Sequence, residues 1–219
     1  MDKISEHYSD EEAIRRILQG ETALFELLIR RNNSALYKTG RAYNYNHEDT
    51  QDLMQDTFLN AYTNLAKFEG RSSFRTWIIK IMLNQCFGRR QKFSFRNEIA
   101  VAVHEKSIPM FSNQNSDAGK TIANRELSYV IENALGHVPE DYRLVFSLRE
   151  INGLNVKETA DALDISEANV KVRLNRAKAM LRKEVEKSYT AEEIFEFNLV
   201  YCDRMVERVM SQLDSSKHQ

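Results

Sequence analysis

Asp49, Asp52 and Asp56 stand at i, i+3 and i+7, a spacing that sets three carboxylates on one helix face opposite a stripe of Met54, Phe58, Ala61 and Leu65. Such a face could hold a metal, work as acid and base, or dock on another protein. No Glu-x-x-His segment accompanies it in either half of the chain, and His47 falls in the approach to this helix rather than on its acidic face. Protein docking is therefore favoured over a metal site, with a plainly solvated face as the alternative.

The chemistry changes sign immediately downstream. Residues 71–96 carry seven basic side chains and no acidic one. Within them a Gly-containing loop with a Ser N-cap leads into a helix of aromatic and basic residues. Aromatic platforms beside a cationic groove suit unstacked single-stranded bases. Phe74, Trp77 and Ile81 also have core spacing, so the aromatics are assigned mainly to packing. The loop residues with Asn84, Gln85, Arg89 and Arg90 are the better candidates for nucleic-acid contact.

The most specific signal lies between Val156 and Leu174. A short helix ends at Leu163, Asp164-Ile165 makes a turn, and Ser166 is placed to cap a second helix. Small Ala160 lets two helices cross closely, while Leu163, Ile165 and Val170 fill the angle between them, the pattern of a DNA-binding helix-turn-helix. Asp164 occupies the turn position often held by Gly, and it reaches the left-handed conformation more readily than a branched residue. In the second helix Val170, Leu174, Ala177 and Leu181 form a buried stripe. Asn169, Lys171, Arg173 and Arg176 project outward or to its flanks: Asn suits adenine, Arg guanine and Lys phosphate.

The elements that must position these groups are helical. The chain has 219 residues, 42% of them hydrophobic, with a net charge of −1, 7 Gly and 2 Pro. So few Gly and Pro argue for helices rather than short strands and tight turns. No stretch approaches the ~18 uninterrupted apolar residues of a membrane span, and the polar, acidic start reads as no signal peptide, so no membrane insertion and a cytosolic location are expected. Cys86 and Cys202 lack CxxC or Cys/His spacing, which indicates two thiols rather than a disulfide or zinc site, and no metal or cofactor is expected. Helical periodicity from Leu24 to Gln91 predicts about four helices, and the polar stretch Asn97 to Asn124 reads as a flexible linker. A second module follows from about Arg125 to Lys187, with a helix starting at Pro139-Glu140-Asp141 and ended by Gly153. Residues 167–187 hold seven basic and three acidic side chains, a second cationic segment apart from the first. Thr190-Ala-Glu-Glu193 opens a last amphipathic helix to about Leu213 in a segment, 188–219, with six acids and three bases.

Taken together, Asp52-Leu-Met-Gln-Asp56-Thr-Phe58, Phe68-Glu-Gly-Arg-Ser-Ser-Phe-Arg-Thr-Trp77 and Val170-Lys-Val-Arg-Leu-Asn-Arg-Ala177 resemble, in order, the bacterial RNA polymerase sigma factors of the sigma-70 class, in their extracytoplasmic-function form. The resemblance implies an all-α promoter-specificity subunit that performs no bond-making chemistry. Residues 1–96 would dock on core RNA polymerase and open the −10 element, 97–124 would link, 125–187 would bind the −35 element, and 188–219 would be a C-terminal extension. It implies docking on the β′ clamp helices through Asp52, Gln55 and Asp56. The loop Glu69, Gly70, Arg71, Ser72, Ser73 and Phe74, with the helix containing Asn84, would read and hold the melted −10 strand. Glu167, Asn169, Lys171, Arg173 and Arg176 would meet the −35 duplex, while the first helices of that module meet the β flap. An anti-sigma factor is a further partner the resemblance admits. The competing reading is a conventional helix-turn-helix regulator that binds a palindromic operator as a dimer.

Overall fold

The computed structural model describes residues 8–94 and 129–188. The linker expected over 97–124 and the helix expected from Thr190 lie outside these residues.

Side-chain caps start several of the helices. Helix α1 (Asp10–Leu18) opens on Ser9, whose hydroxyl accepts from Glu12 N, and three acids fill its first turn, where the helix dipole favours them. It ends before Gly20, whose φ of +107° turns the chain. After a single 3-10 turn, α2 (Phe25–Ala42) runs to a left-handed Asn44. Asn46 caps α3 (His47–Thr63), so His47 is the first residue of that helix rather than part of its approach. Ser73 Oγ accepts from Thr76 N at the start of α4 (Phe74–Ser94).

Between Leu24 and Gln91 there are thus three α-helices and the 3-10 turn Leu65–Lys67, where four helices were expected. The additional helix, α1, lies upstream of that window.

Helices α2, α3 and α4 pack on one another around Leu28, Leu36, Leu53, Phe58, Ile78 and Met82. Gly40 marks their closest approach: a Cβ there would lie 2.7 Å from Thr50 Cγ2 and 2.9 Å from Met82 Cε.

The second half begins with α5 (129–137), followed after Pro139 by α6 (Glu140–Phe146), a π-turn (Ser147–Ile151) and Gly153 at φ +72°. Helix α7 (Val156–Leu163) and helix α8 (Glu167–Ser188) complete it. Val145, Ala160 and Val170 are the buried centre of this half, flanked by Val156, Leu163, Ile165 and Leu174.

The halves are packed together. Leu144, Leu148, Leu154 and Ala162 join the core of the first half. The polar links are specific. Buried Arg143 donates to Ala42 O at the end of α2 (2.6 Å), and Arg41 pairs with Glu132 of α5 at 2.5 Å. Asn152 donates to Thr39 Oγ1, and Thr76 Oγ1 to Glu158 Oε1 (2.9 Å). Glu158 Oε2 meanwhile accepts from Asn155 N in a capping box, so one carboxylate closes its own helix and reaches α4. Lys80 Nζ donates to Asp161 O across the same contact.

Candidate nucleic-acid interface

The acidic face is built as its spacing requires. Leu53 and Phe58 point into the core, which leaves Asp52, Gln55 and Asp56 exposed on the opposite side of α3. They line an open depression with Leu53, Asn60, Gln85, Gly88 and Arg89. Asp49, the third carboxylate, is held by Arg89 at 2.5 Å. Beside Gln55 runs an apolar groove of Phe25, Ile29, Phe58, Leu59 and Tyr62, in which Leu59 is 59% exposed. Among the described residues no three His, Cys, Asp or Glu side chains converge as a metal site would require.

Helix α4 has three faces. Phe74, Ile78, Met82 and Cys86 are buried. Gln85 and Arg89 turn toward α3, where the Thr57 hydroxyl donates to Gln85 Oε1 at 2.6 Å. Lys80, Asn84, Phe87 and Gln91 are exposed at i, i+4, i+7 and i+11, along one stripe. Arg90 reaches a different element and pairs with Glu140 of α6.

Two of the expected strand-binding residues, Gln85 and Arg89, therefore border the acidic depression rather than share a face with Asn84. A third, Phe74, is only 1% exposed and packs against Phe68 and Trp77 with ring centroids 5.9 and 5.7 Å away. Its ring is a core group and is not presented to a base. The loop itself is open: Gly70 takes φ +67°, Arg71 pairs with Glu69, and Glu69 and Ser73 are exposed beside a half-buried Ser72.

Burial pushes the Cys86 thiol up to about 12, and burial likewise takes Tyr45 to about 12. The Tyr45 hydroxyl donates to Cys86 O at 2.8 Å, tying the loop before α3 to α4.

The helix-turn-helix has the expected joints. Asp164 is left-handed (φ 53°, ψ 48°), Ile165 N donates to Ala160 O, and Ser166 Oγ accepts from Asn169 N at 3.2 Å. Val170 and Ala177 are buried, which turns Glu167, Lys171 and Arg176 outward and leaves Asn169 and Arg173 half-buried at the edge. Arg173 pairs with Asp141 at 3.3 Å, and Arg176 donates to Tyr142 Oη at 3.4 Å, so the first turn of α6 steadies the recognition helix.

Sequence reasoning missed the residues that join the halves. The spacing Asn155-x-x-Glu158 is a capping-box signal that could have marked a helix start, but nothing local marks Thr76 as Glu158's partner 82 positions away.

The sigma-70 region 2 family matches residues 28–92 and the sigma-70 region 4 family matches residues 129–181, together more than half of the chain. Over 191 residues the chain is 26% identical to an ECF RNA polymerase sigma-E factor of Haemophilus influenzae, covering 84% of this chain and 98% of that protein. The sigma-E factor of Escherichia coli K12 is 27% identical over 189 residues, covering 84% and 97%. Among solved structures, CnrH in complex with the cytosolic domain of CnrY aligns with a TM-score of 0.60 and 25% identity, over 82% of this chain and 99% of that one. The sigma factor RpoE from Bartonella quintana, solved with the anti-sigma factor NepR, shares the fold at a TM-score of 0.59 and 20% identity, over 74% and 96%. With both sigma regions matched in order, and relatives aligned over nearly their whole lengths, the chain belongs to the sigma-70 family of RNA polymerase sigma factors, in its extracytoplasmic-function class.

Proposed function

We propose that this chain joins core RNA polymerase in the cytoplasm and directs it to promoters with distinct −35 and −10 elements. It performs no bond-making chemistry of its own. The observation that carries the reading is that one half joins an exposed acidic face on α3, Asp52 and Asp56, to a separate solvent stripe of α4, Lys80, Asn84, Phe87 and Gln91, that holds no acid. A polyanion is repelled by Asp52 and Asp56, so protein is assigned to the α3 face and nucleic acid to the α4 stripe and the loop before it.

On this reading Asp52, Gln55 and Asp56 dock on the β′ clamp helices. The loop Glu69 to Ser73 and Asn84 hold the opened −10 strand. Arg89 and Arg90 would exchange their carboxylate partners, Asp49 and Glu140, for phosphates. Glu167, Asn169, Lys171, Arg173 and Arg176 enter the −35 major groove, and the elements before them meet the β flap. Trapping flipped bases offsets an unpairing cost of a few kcal/mol per base. An anti-sigma factor is a further partner in this reading, since CnrH was solved with the cytosolic domain of a second protein. A dimeric regulator on a palindrome is not favoured, because it leaves the region 2 match without a role.

The test is gel filtration of the chain with core polymerase. Asp52→Lys with Asp56→Lys should weaken the complex at least about tenfold while the melting temperature stays unchanged, because both side chains are exposed. Undiminished binding would remove the docking assignment.

A further inference from the structure

The exposed face of α8 carries a second pattern besides its cations. Ala168, Val172, Asn175 and Ala179 are all exposed and follow one another at alternating steps of four and three residues, which lines them up along the helix. Val172, 48% exposed, is a branched apolar side chain in the middle of that line. Arg176 and Lys183 stand just past it and give the line a cationic edge; Arg176 bonds the Tyr142 hydroxyl rather than a carboxylate, and Lys183 is exposed.

The sequence that follows α8 is complementary. In the helix expected from Thr190 to about Leu213, Phe195, Leu199, Cys202, Val206, Val209 and Leu213 repeat the same four-three steps as a seam of larger apolar residues. Glu196, Asp203, Glu207 and Asp214 each follow a seam residue, so one edge of that seam is acidic. The lengths agree as well. At 1.5 Å per residue the 22 residues of α8 span about 33 Å, and residues 190–213 would span about 36 Å. A reversal at Tyr189 suffices to set the two seams antiparallel, since helical hairpins close with roughly 2–5 linking residues. Val206 then meets Val172, Cys202 meets Asn175 and Leu199 meets Ala179, large against small, while Asp203 falls opposite Arg176 and Glu196 opposite Lys183. The other exposed apolar groove, at Leu59 and Tyr62, stands on the helix of Asp52 and Asp56 and repels an acidic edge.

We propose that residues 190–213 fold back along α8 as an antiparallel helix that covers the recognition face of the free chain and must leave before duplex DNA can enter. The covering concerns this chain alone; its consequence for DNA rests on the reading of α8 given under the proposed function.

The test is a disulfide trap in the full chain. Asn175→Cys should join native Cys202 within one chain on mild oxidation with diamide, read as a faster band on a non-reducing gel; Cys86 is buried and takes no part. Tyr129→Cys, at an exposed position of α5, should give no such band. Glu196→Lys with Asp203→Lys should slow the trap about fivefold or more. The probe for DNA is the duplex upstream of the strongest mapped start. The trapped chain should bind it at least about tenfold more weakly than the same chain after reduction, and a chain ending at Ser188 at least about tenfold more tightly than the full chain, as expected for a cover in place about nine-tenths of the time. No band with Asn175→Cys, a band with Tyr129→Cys instead, a disulfide-linked dimer, or a trap that the two lysines do not slow would overturn the covering. Equal DNA binding by the trapped and reduced chains would overturn its role. If the trap forms but the chain ending at Ser188 binds no duplex, the −35 assignment of α8 fails while the fold-back contact stands.

Discussion

Replacing Arg143 by Met should destabilise the chain by about 2–4 kcal/mol, although the residue lies outside every proposed contact surface. Its guanidinium is buried and donates to Ala42 O at 2.6 Å, Val138 O at 2.7 Å and Gly136 O at 3.3 Å. These carbonyls belong to the ends of α2 and α5, where no intrahelical N–H is left to meet them and the helix dipoles favour a cation. Two short charge-assisted bonds at about 1.5–3 kcal/mol each give a gross loss of about 3–6. Methionine fills similar volume and relieves the desolvation that pushes the Arg143 pKa down, which returns part of it. At roughly 2–4 °C per kcal/mol for a chain of this size, the melting temperature should drop by about 5–15 °C in a circular-dichroism melt. Arg143→Lys should recover less than half, because a single ammonium cannot fork to both helix ends. Arg30→Met, at an ion pair about two-thirds exposed, is the control and should shift stability by less than about 0.5 kcal/mol. An Arg143→Met chain as stable as that control would refute the claim that this side chain clamps the two halves.

Three further outcomes are expected. Arg173→Ala or Arg176→Ala should weaken promoter binding by about 1–3 kcal/mol, some 5- to 150-fold in a gel-shift titration of holoenzyme, and leave core-polymerase binding intact; simultaneous loss of both activities would contradict the separation of surfaces. Gly40→Ala should cost about 1–3 kcal/mol in a denaturant titration, because the added methyl meets Thr50 Cγ2 at 2.7 Å in a close-packed crossing. In a Cys202→Ser background, Cys86 should resist maleimide at pH 8 and react only on unfolding, since its thiol is buried and raised to about 12; rapid labelling of the native chain would show that α4 opens.

The parts of the structure legible in the sequence are those governed by near neighbours. The turn at Asp164, the Ser166 cap and the buried Val170 and Ala177 all follow from spacing within one helix and its start. The acidic face of α3 was legible for the same reason. His47 was read as lying in the approach to this helix, but Asn46 supplies the capping oxygen and His47 is the first helical residue. Phe74 had core spacing and also lay within a loop that the family resemblance assigns to nucleic acid; packing against Phe68 and Trp77 decided for the core. Arg143 bonds a carbonyl 101 positions away, and no periodicity encodes such a pairing.

The most direct test of the sigma assignment is transcription in vitro from a fragmented bacterial genome with purified core RNA polymerase, with and without this chain, followed by sequencing of RNA 5′ ends. The account predicts new starts that appear only with the chain and share two dissimilar, evenly spaced upstream elements. No new starts, together with binding of the free chain to a palindromic site, would contradict it.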